Sequence, residues 1–533
     1  MRFCAIMYLS IIYQSAPENT TPPDAEDTEE IYMIRSELTT GKRRTFARSI
    51  TALLAILMIC GVLCACSNPS GGTDSTTAPV ASTTAPEADT TDSIYANLPT
   101  GNYDKAEIHI LNNISSWALT TMESSEQLGD TISDAITERN SMLEEQVGVT
   151  LVIDTVSNVL SAVRKDQDTD THMYDFFVDA SSSNVKLVAE SRLVDLKTLS
   201  AINLDKEWWY PRSTQNLAIG DGVYMVFSDI HLHYHESFYV SIFNKDMLAK
   251  YPSLEDPYKL VKDGKWTIGK LNEMMKVVAS DLDASGKKDI SESTSIYGLV
   301  AHTNAGYSMM VGFDTNLLSY DSKNIPQHFD SVNERYIDAY NKVKDTMFNT
   351  ILCGNQTSDG FSKLTNRQHT PFSEERSLFM YEVTGTLKEH RDDSFSYGIV
   401  TSPKYDEEQN EYISPITCSA ASIGVPVGCP DLERVAVVLE NMAAVSHKKI
   451  KPAYYNITLC YKYNKDPEAI EMLDIVYKNG RFDLAYVYNF GSVRSTVESA
   501  FKAGRSDISS EITRAKKIIN KDINTTLSGL KLN

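Results

Sequence analysis

An uncharged apolar run between Ile50 and Cys66 constrains this chain most, because such a run is typical of a membrane-targeting segment. Four basic residues between positions 42 and 48 precede the run, and small residues follow it, which is the order found in secretory signals. Since a signal begins near an N-terminus, we expect translation to start at Met33 and residues 1–65 to comprise an upstream extension and a signal peptide. The rest of the chain is then expected outside the cytoplasm.

The end of the run, Leu63-Cys64-Ala65-Cys66, resembles the lipobox of bacterial lipoproteins. The resemblance implies cleavage before Cys66, a diacylglycerol on its sulfur and a further acyl chain, such as palmitate, on its amine. Two or more acyl chains hold a protein stably on a bilayer. An uncleaved single-span anchor is the alternative, since the run is about long enough for a tilted helix. Both interpretations predict a protein attached to the cell membrane and facing outward.

Residues 66–102 are dominated by Ser, Thr, Pro, Gly and Ala and contain few large apolar side chains. Such a segment buries too little apolar surface to offset its chain entropy. We therefore expect a disordered tether between the lipidated Cys66 and a globular body that begins at residue 103.

Acidic residues outnumber basic ones, 71 to 50, which gives the chain a formal charge of −21. This charge argues against a nucleic-acid partner and favours neutral or cationic ligands. Four cysteines lie in the body, and none belongs to a CxxC pair. Cys418 and Cys429 flank a short apolar segment and are candidates for a disulfide, but the sequence leaves the pairing open among Cys353, Cys418, Cys429 and Cys460.

The body begins with an alternation of predicted strands and helices. Residues 105–111 and 149–156 have the pattern of strands, and a helical periodicity separates them between Asp130 and Gln146. A third strand is predicted in the sequence YDFFVDASS, before a further helix. This order predicts an α/β fold with a parallel sheet, whose ligand-binding loops follow the carboxyl ends of the strands. The loops at 112–117 and 179–183 are therefore candidates for a binding site.

A long apolar stretch from residue 223 to 248 favours extended structure. His231, His233 and His235 alternate within it, so a strand would place all three rings on one side. Such a face suits Zn²⁺ as an HxH site, and hydrogen-bonded or exposed histidines are the alternative. Farther on, Thr267 is a candidate N-cap for a helix, and Trp266 is expected in the core.

Several segments resemble the extracellular solute-binding lipoproteins of ABC importers, in particular the maltose-binding type. The resemblance rests on ERNSMLEEQVGVTL, IFNKDML, GKWTIGKLNEMMKVV and RSLFMYEVTGTL in this order, followed by YGIVTSPKYDEEQNEY. It implies the two-lobed type II fold of periplasmic binding proteins, with hinge crossovers between the lobes. Residues 103–230 with 376–412 are predicted to form lobe 1, and residues 231–375 with 413–533 are predicted to form lobe 2.

The same resemblance implies a monomeric receptor without enzymatic activity or a required cofactor. It would capture a carbohydrate, in particular an oligosaccharide, between its lobes and deliver it to permease subunits of an ABC transporter. A peptide or another organic solute is the alternative ligand. A surface enzyme acting on polysaccharides is the alternative from another class, although the sequence contains no GxSxG, HExxH or P-loop motif.

Sugar recognition calls for aromatic rings that stack on pyranose faces and for polar groups that pair with hydroxyls. The loops at 112–117 and 179–183 supply some of these groups, and a tryptophan pair precedes the predicted crossover. The resemblance adds positions on both crossovers and an aromatic-x-x-x-Arg motif. For each aromatic residue, core packing is the alternative. The predicted ligand-binding residues are Trp117, Asp179, Ser181, Ser182, Trp208, Trp209, Glu236, Ser237, Tyr381, Glu382, Phe490 and Arg494.

One further segment has the oxygen-ligand spacing of an EF-hand calcium loop, with Gly286 at the sharp turn. It predicts a structural Ca²⁺, and a solvated polar loop is the alternative. The candidate ligands are Asp281, Asp283, Ser285, Lys287 through its backbone carbonyl, Asp289 and Glu292.

Overall fold

The computed structural model describes residues 97–113, 122–124, 130–281, 295–302, 304–349, 352–354, 369–463 and 466–532. These residues all belong to one compact unit, residues 89–533. Its strands are β1 (Ala106–Asn113), β2 (Val149–Val156), β3 (Phe176–Ala180), β4 (Tyr239–Asn244), β5 (Ser280–Asp281), β6 (Ser295–Ala301), β7 (Cys353–Gly354), β8 (Ser377–Val383), β9 (Tyr397–Thr401), β10 (Ser414–Pro415), β11 (Ala421–Gly424) and β12 (Gly480–Arg481).

Helices surround these strands and dominate the C-terminal third. They are α1 (Asp130–Met142), α2 (Val159–Asp168), α3 (Ser181–Ala189), α4 (Pro211–Asn216), α5 (Lys245–Leu248), α6 (Pro257–Lys262), α7 (Ile268–Val278), α8 (Ala305–Gly312), α9 (Glu334–Met347), α10 (His369–Ser373), α11 (Leu432–Tyr463), α12 (Pro467–Lys478), α13 (Leu484–Tyr488), α14 (Val493–Lys502), α15 (Ile508–Arg514) and α16 (Lys516–Gly529).

The first sheet has the strand order β11-β3-β1-β2. Strand β1 pairs in parallel with β2 and β3, and β11 pairs antiparallel with β3. The predicted strands 105–111 and 149–156 are confirmed, as is the helix between them, which ends in a π-helical turn at Leu143–Val147. Gly148 ends that turn with a left-handed backbone (φ 73°) and donates its N–H to the Leu143 carbonyl, which turns the chain into β2.

The second sheet has the order β5-β6-β8-β4-β9, with β7 paired to β6. Strands β6 and β8 are parallel, whereas β4 lies between β8 and β9 and is antiparallel to both. All six residues of β4 are buried, as expected for a central strand covered on both faces. The fold is therefore α/β, and the described residues form these two main sheets and a short parallel pair of β10 with β12.

The strand pairing corrects the predicted division into lobes. Val240 on β4 pairs with Glu382 on β8 and with Thr401 on β9, so residues 376–412 contribute strands to the second sheet. Conversely, β11 lies in the first sheet, where Ser422 pairs with Asp179. The prediction had assigned these two segments to the opposite lobes, because the sequence does not reveal which distant strands share hydrogen bonds.

The predicted histidine strand is also corrected. Residues Leu232–Ser237 form a 3₁₀ helix, so the three histidine rings do not share a face. His231 Nδ1 accepts a hydrogen bond from the His233 backbone N–H, which stabilises this helix at its first turn. Within the described part of the chain, no group of three potential ligands could hold a metal ion. The candidate calcium loop lies outside the described residues, except for Asp281 in β5.

Other local predictions can be compared directly with the structure. Thr267 caps α7 by accepting a hydrogen bond from the Lys270 N–H at 3.2 Å, and Trp266 is completely buried. Cys418 and Cys429 are both free, so the candidate disulfide between them is not formed. No helix among the described residues is long and apolar enough to cross a membrane. Cys66 lies outside these residues.

Candidate ligand-binding site

A cavity of about 900 Å³, which we call the cleft cavity, opens beside the carboxyl ends of two parallel strands of the second sheet. Asn304 follows β6, while Glu382 and Val383 end β8. The lining also includes Thr417–Ser419, the segment that leads into β11 of the first sheet. The cavity thus lies where ligands bind in open α/β sheets, and its volume is in the usual range for small-molecule sites.

The cleft cavity is rich in charged groups and has two aromatic side chains in its wall. Its carboxylates outnumber its permanent cations, and histidines complete the polar lining. Such a wall offers many hydrogen-bond acceptors to hydroxyl or ammonium groups of a ligand. The charged residues are Glu236, Glu382, Glu389, Glu498, Lys388 and Arg494, and the aromatic residues are Tyr239 and Tyr486.

Glu236 belongs to the Leu232–Ser237 helix and is only 4% exposed. Its Oε1 lies 3.3 Å from the Lys388 ammonium. Burial raises the pKa of Glu236, and the nearby Lys388 opposes this effect. The geometry holds one carboxylate oxygen in place and lets the carboxylate act as an oriented acceptor for a ligand hydroxyl.

Arg494 lies in the first turn of α14, where its backbone N–H donates to Asn489 Oδ1 at 2.8 Å. Its Nη1 lies 2.8 Å from Cys418 Sγ and 3.3 Å from the Tyr486 carbonyl oxygen. Glu498 follows one turn later, and burial raises the pKa of its carboxyl while Arg494 opposes the shift. These contacts fix the guanidinium at the cavity wall, where its remaining N–H groups can serve a ligand.

Tyr239 begins β4, and its ring lines the cleft cavity. The fully buried Tyr381 stacks behind it, with ring centroids 5.5 Å apart and an angle of 20° between the ring planes. The Tyr381 hydroxyl lies 2.9 Å from Ser402 Oγ. Tyr381 therefore positions Tyr239 and does not itself line the cavity, although its sequence position predicted a direct role.

The two predicted crevice loops of the first sheet do meet. Asn113 Nδ2 donates to the Asp179 carboxylate at 2.6 Å, and burial raises the pKa of that carboxyl. The backbone N–H groups of Ser181 and Ser182 donate to the carbonyl oxygens of Ala420 and Cys418, each at 2.9 Å. These serines therefore hold the Thr417–Ala420 segment, which lines the cavity.

Of the remaining predicted residues, the four that the structure describes do not line the cleft cavity. Trp209 is buried and donates to Glu440 at 2.7 Å, and Trp208 borders a separate cavity of about 510 Å³ beside the same glutamate. Phe490 is buried and stacks on Tyr488, and Ser237 donates to the His233 carbonyl oxygen. Trp117 lies outside the described residues.

The structure adds cavity residues that the sequence analysis missed, including His233, Lys388 and Tyr486. The crevice rule had been applied to the first sheet alone. Applied to β6 and β8, it would have predicted the loops around Asn304 and Thr386, both of which line the cavity. No local pattern marks Tyr486, which reaches the cavity through the packing of α13.

No protein-family model and no curated protein sequence matches the chain. Among solved structures, an ABC substrate-binding protein from Listeria monocytogenes in complex with cycloalternan is similar at a TM-score of 0.50 and 13% identity, over 79% of this chain and 100% of that one. A cyclo/maltodextrin-binding protein complexed with maltotetraose is similar at 0.49 and 10% identity, over 80% of this chain and 97% of that one.

The maltose-binding periplasmic protein MalE from Listeria monocytogenes, in complex with maltose, is similar at a TM-score of 0.49 and 12% identity, over 80% of this chain and 98% of that one. The similarity to the first of these structures, at a TM-score of 0.50 and 13% identity, shows the fold and leaves the ligand open. The α/β architecture with two sheets and a cavity bordered by both confirms the predicted fold class. The chain has the fold of the ABC substrate-binding proteins.

Proposed function

We propose that this protein is a receptor that captures a carbohydrate in the cleft cavity and delivers it to the permease of an ABC transporter. The observation that carries the proposal is the cleft cavity itself, bordered by both sheets and lined by oriented carboxylates, an arginine and two tyrosines. Hydroxyl-rich rings need such paired polar groups beside an aromatic surface. The cavity volume of about 900 Å³ suits an oligosaccharide of a few rings.

Capture in this fold class proceeds by a shift between open and closed arrangements. A ligand that contacts both walls of the cleft binds the closed arrangement more tightly and therefore increases its population. Arg494 on one wall and Glu236 beside Lys388 on another are the groups that we expect to contact the sugar. Binding alone accounts for these groups, so the proposed receptor has no catalytic step.

Calorimetric titration of the full-length protein with maltotetraose, maltose and a tetrapeptide tests the proposal. We expect the oligosaccharide to bind and the peptide not to bind. Glu236→Gln and Arg494→Gln should each weaken sugar binding by roughly 10- to 100-fold, because each removes a charge-assisted hydrogen bond of about 1.5–3 kcal/mol.

Glu334→Gln is the matched control, because Glu334 is an exposed residue in the first turn of α9. It should leave the affinity unchanged. If the peptide bound and the sugars did not, the proposed ligand would be a peptide and not a carbohydrate. Shortened sugars in the titrated sample would indicate an enzyme and would contradict the receptor proposal.

We further propose that the protein is anchored to the outer face of the cell membrane through a lipidated Cys66. Cys66→Ala should release the protein into the growth medium or leave an unprocessed precursor, because no thiol remains to accept the lipid. Cys64→Ala is the control and should leave the protein in the membrane fraction. Immunoblots of the medium and membrane fractions, with labelled palmitate incorporation, measure both outcomes. Retention and labelling of the Cys66→Ala protein would contradict the proposed anchor.

A further inference from the structure

A second cavity of about 800 Å³ lies beside α4, α11 and α12. Its wall contains tyrosine rings and lysine side chains, and we call it the tyrosine–lysine cavity. Helix α11 packs against α1, whereas α12 packs against β9 of the second sheet, so the cavity lies at a junction between the two halves of the fold. Its most prominent residues are Tyr210, Tyr234, Tyr455, Tyr477, Lys448 and Lys451.

This cavity is distinct from the cleft cavity, and the Leu232–Ser237 helix separates them. Tyr234 of that helix lines the tyrosine–lysine cavity, whereas His233 and Glu236 of the same helix line the cleft cavity. A ligand in one cavity therefore does not occupy the other, and the two sites can be tested independently.

The charge of the tyrosine–lysine cavity is opposite to that of the chain. The protein carries a formal charge of −21, yet this wall includes one arginine and three lysines against two acidic residues. Arg212 pairs with Glu411 outside the cavity. In the part of the chain that the structure describes, no carboxylate forms a salt bridge with Lys448, Lys451 or Lys478. Their ammonium groups are available to an anion.

The floor of this cavity is held in place by one fully buried carboxylate. Asp229 accepts hydrogen bonds from the Tyr210 hydroxyl at 2.7 Å and from His447 Nδ1 at 2.6 Å. Tyr210 also has a left-handed backbone (φ 47°), which is strained for an aromatic residue and persists only where the surroundings enforce it. Its ring centroid lies 4.5 Å from that of Tyr234. The aromatic wall is thus pre-organised before any ligand arrives.

We propose that the tyrosine–lysine cavity is a second ligand site, which binds a small organic anion whose carboxylate or phosphate is attached to a ring. The ring stacks on the tyrosine wall, while Lys448 and Lys451 contact the anionic group. Lys451 already lies with its ammonium 5.5 Å from the centre of the Tyr210 ring, so ring and charge can be contacted together. Electrostatic attraction between these lysines and an anion weakens with added salt.

Calorimetric titration of the full-length protein with 4-hydroxybenzoate and with phenyl phosphate tests this inference and distinguishes a carboxylate from a phosphate. Phenol is the neutral probe, and inorganic phosphate is the probe without a ring. We expect at least one ring-bearing anion to bind, and both matched probes to bind at least tenfold more weakly. The double variant Lys448→Gln/Lys451→Gln should weaken the anion at least tenfold and leave maltotetraose binding unchanged.

Lys449→Gln is the matched control, since Lys449 lies on the same helix but pairs with Glu138 at 2.8 Å outside the cavity. It should bind the anion as the wild type does. The inference is overturned if neither ring-bearing anion binds, if phenol or inorganic phosphate binds equally well, or if the double variant retains wild-type affinity. None of these outcomes depends on sugar binding in the cleft cavity, so the proposed function stands or fails separately.

Discussion

Replacing Asp229 by alanine is expected to lower the free energy of unfolding by about 3–5 kcal/mol, because it breaks a buried charged network. The Asp229 side chain is fully buried and accepts hydrogen bonds from Tyr210, His235 and His447. His235 is also fully buried, so bulk water cannot replace Asp229 as the hydrogen-bond partner of its ring. Alanine would leave three polar groups without their shared acceptor and would create a void among them.

Urea denaturation followed by circular dichroism measures this loss as a shift of the transition midpoint. Asp205→Ala is the control, since Asp205 is an exposed aspartate in the same half of the chain. The control should stay within about 0.5 kcal/mol of the wild type. A loss below about 1 kcal/mol in Asp229→Ala would mean that the network is not a major source of stability.

The start of the first sheet could be predicted from the sequence because its signals are local. Strands β1 and β2 are short apolar segments, and the helix between them has apolar residues at helical spacing and a glycine at its end. The crevice rule then led to Ser181 and Ser182, whose backbone N–H groups hold a segment of the cleft wall, and to Asp179, which accepts a hydrogen bond from Asn113. Periodicity and strand order together were sufficient for β1, β2 and β3, but not for β11, the fourth strand of this sheet.

The histidine segment was mispredicted because its apolar composition favours a strand, whereas its polar groups favour a turn. The His231 ring accepts from the His233 backbone, and Ser237 Oγ donates to the His233 carbonyl oxygen. Such local side-chain hydrogen bonds compete with strand pairing and have no signature in apolar periodicity. The predicted division into lobes was wrong for a related reason, since packing between residues far apart in the sequence determines which strands pair.

The described aromatic residues that the sequence predicts to bind a ligand do not line the cleft cavity. Tyr381 and Phe490 occupy positions that suggested contact with a sugar, yet both are buried against other rings. Glu236, Glu382 and Arg494 do line the cleft cavity, because charged side chains are buried only where a partner or a cavity accommodates them. In this chain, the predicted charged residues therefore indicated the lining of the cleft cavity better than the predicted aromatic residues did.

Lowering the pH from about 6.5 to about 4 is expected to destabilise the protein by about 3 kcal/mol through His231 alone. Burial, together with a smaller effect of the nearby Arg139, lowers the pKa of His231 to about 4. In the unfolded chain the same imidazole titrates near pH 6.5. Between these values the unfolded state binds more protons than the folded state, so stability is complete above about pH 6.5 and falls as the pH approaches about 4.

The variant His231→Asn separates this effect from other titrations. Its side-chain oxygen can still accept from the His233 N–H, but it cannot be protonated in this pH range. His233 and Asp229 remain in the variant. Burial lowers the pKa of His233 as well. Burial alone would raise the pKa of Asp229, but its hydrogen bonds from His235 and His447 lower it. Stability of His231→Asn should therefore still fall with acid, but with a smaller slope than that of the wild type. Asp229 loses its contribution to stability only below about pH 4, so the comparison is made between pH 6.5 and 4.5. If stability falls with the same slope in both proteins over this range, the acid sensitivity belongs to His233 or to another group, and not to His231.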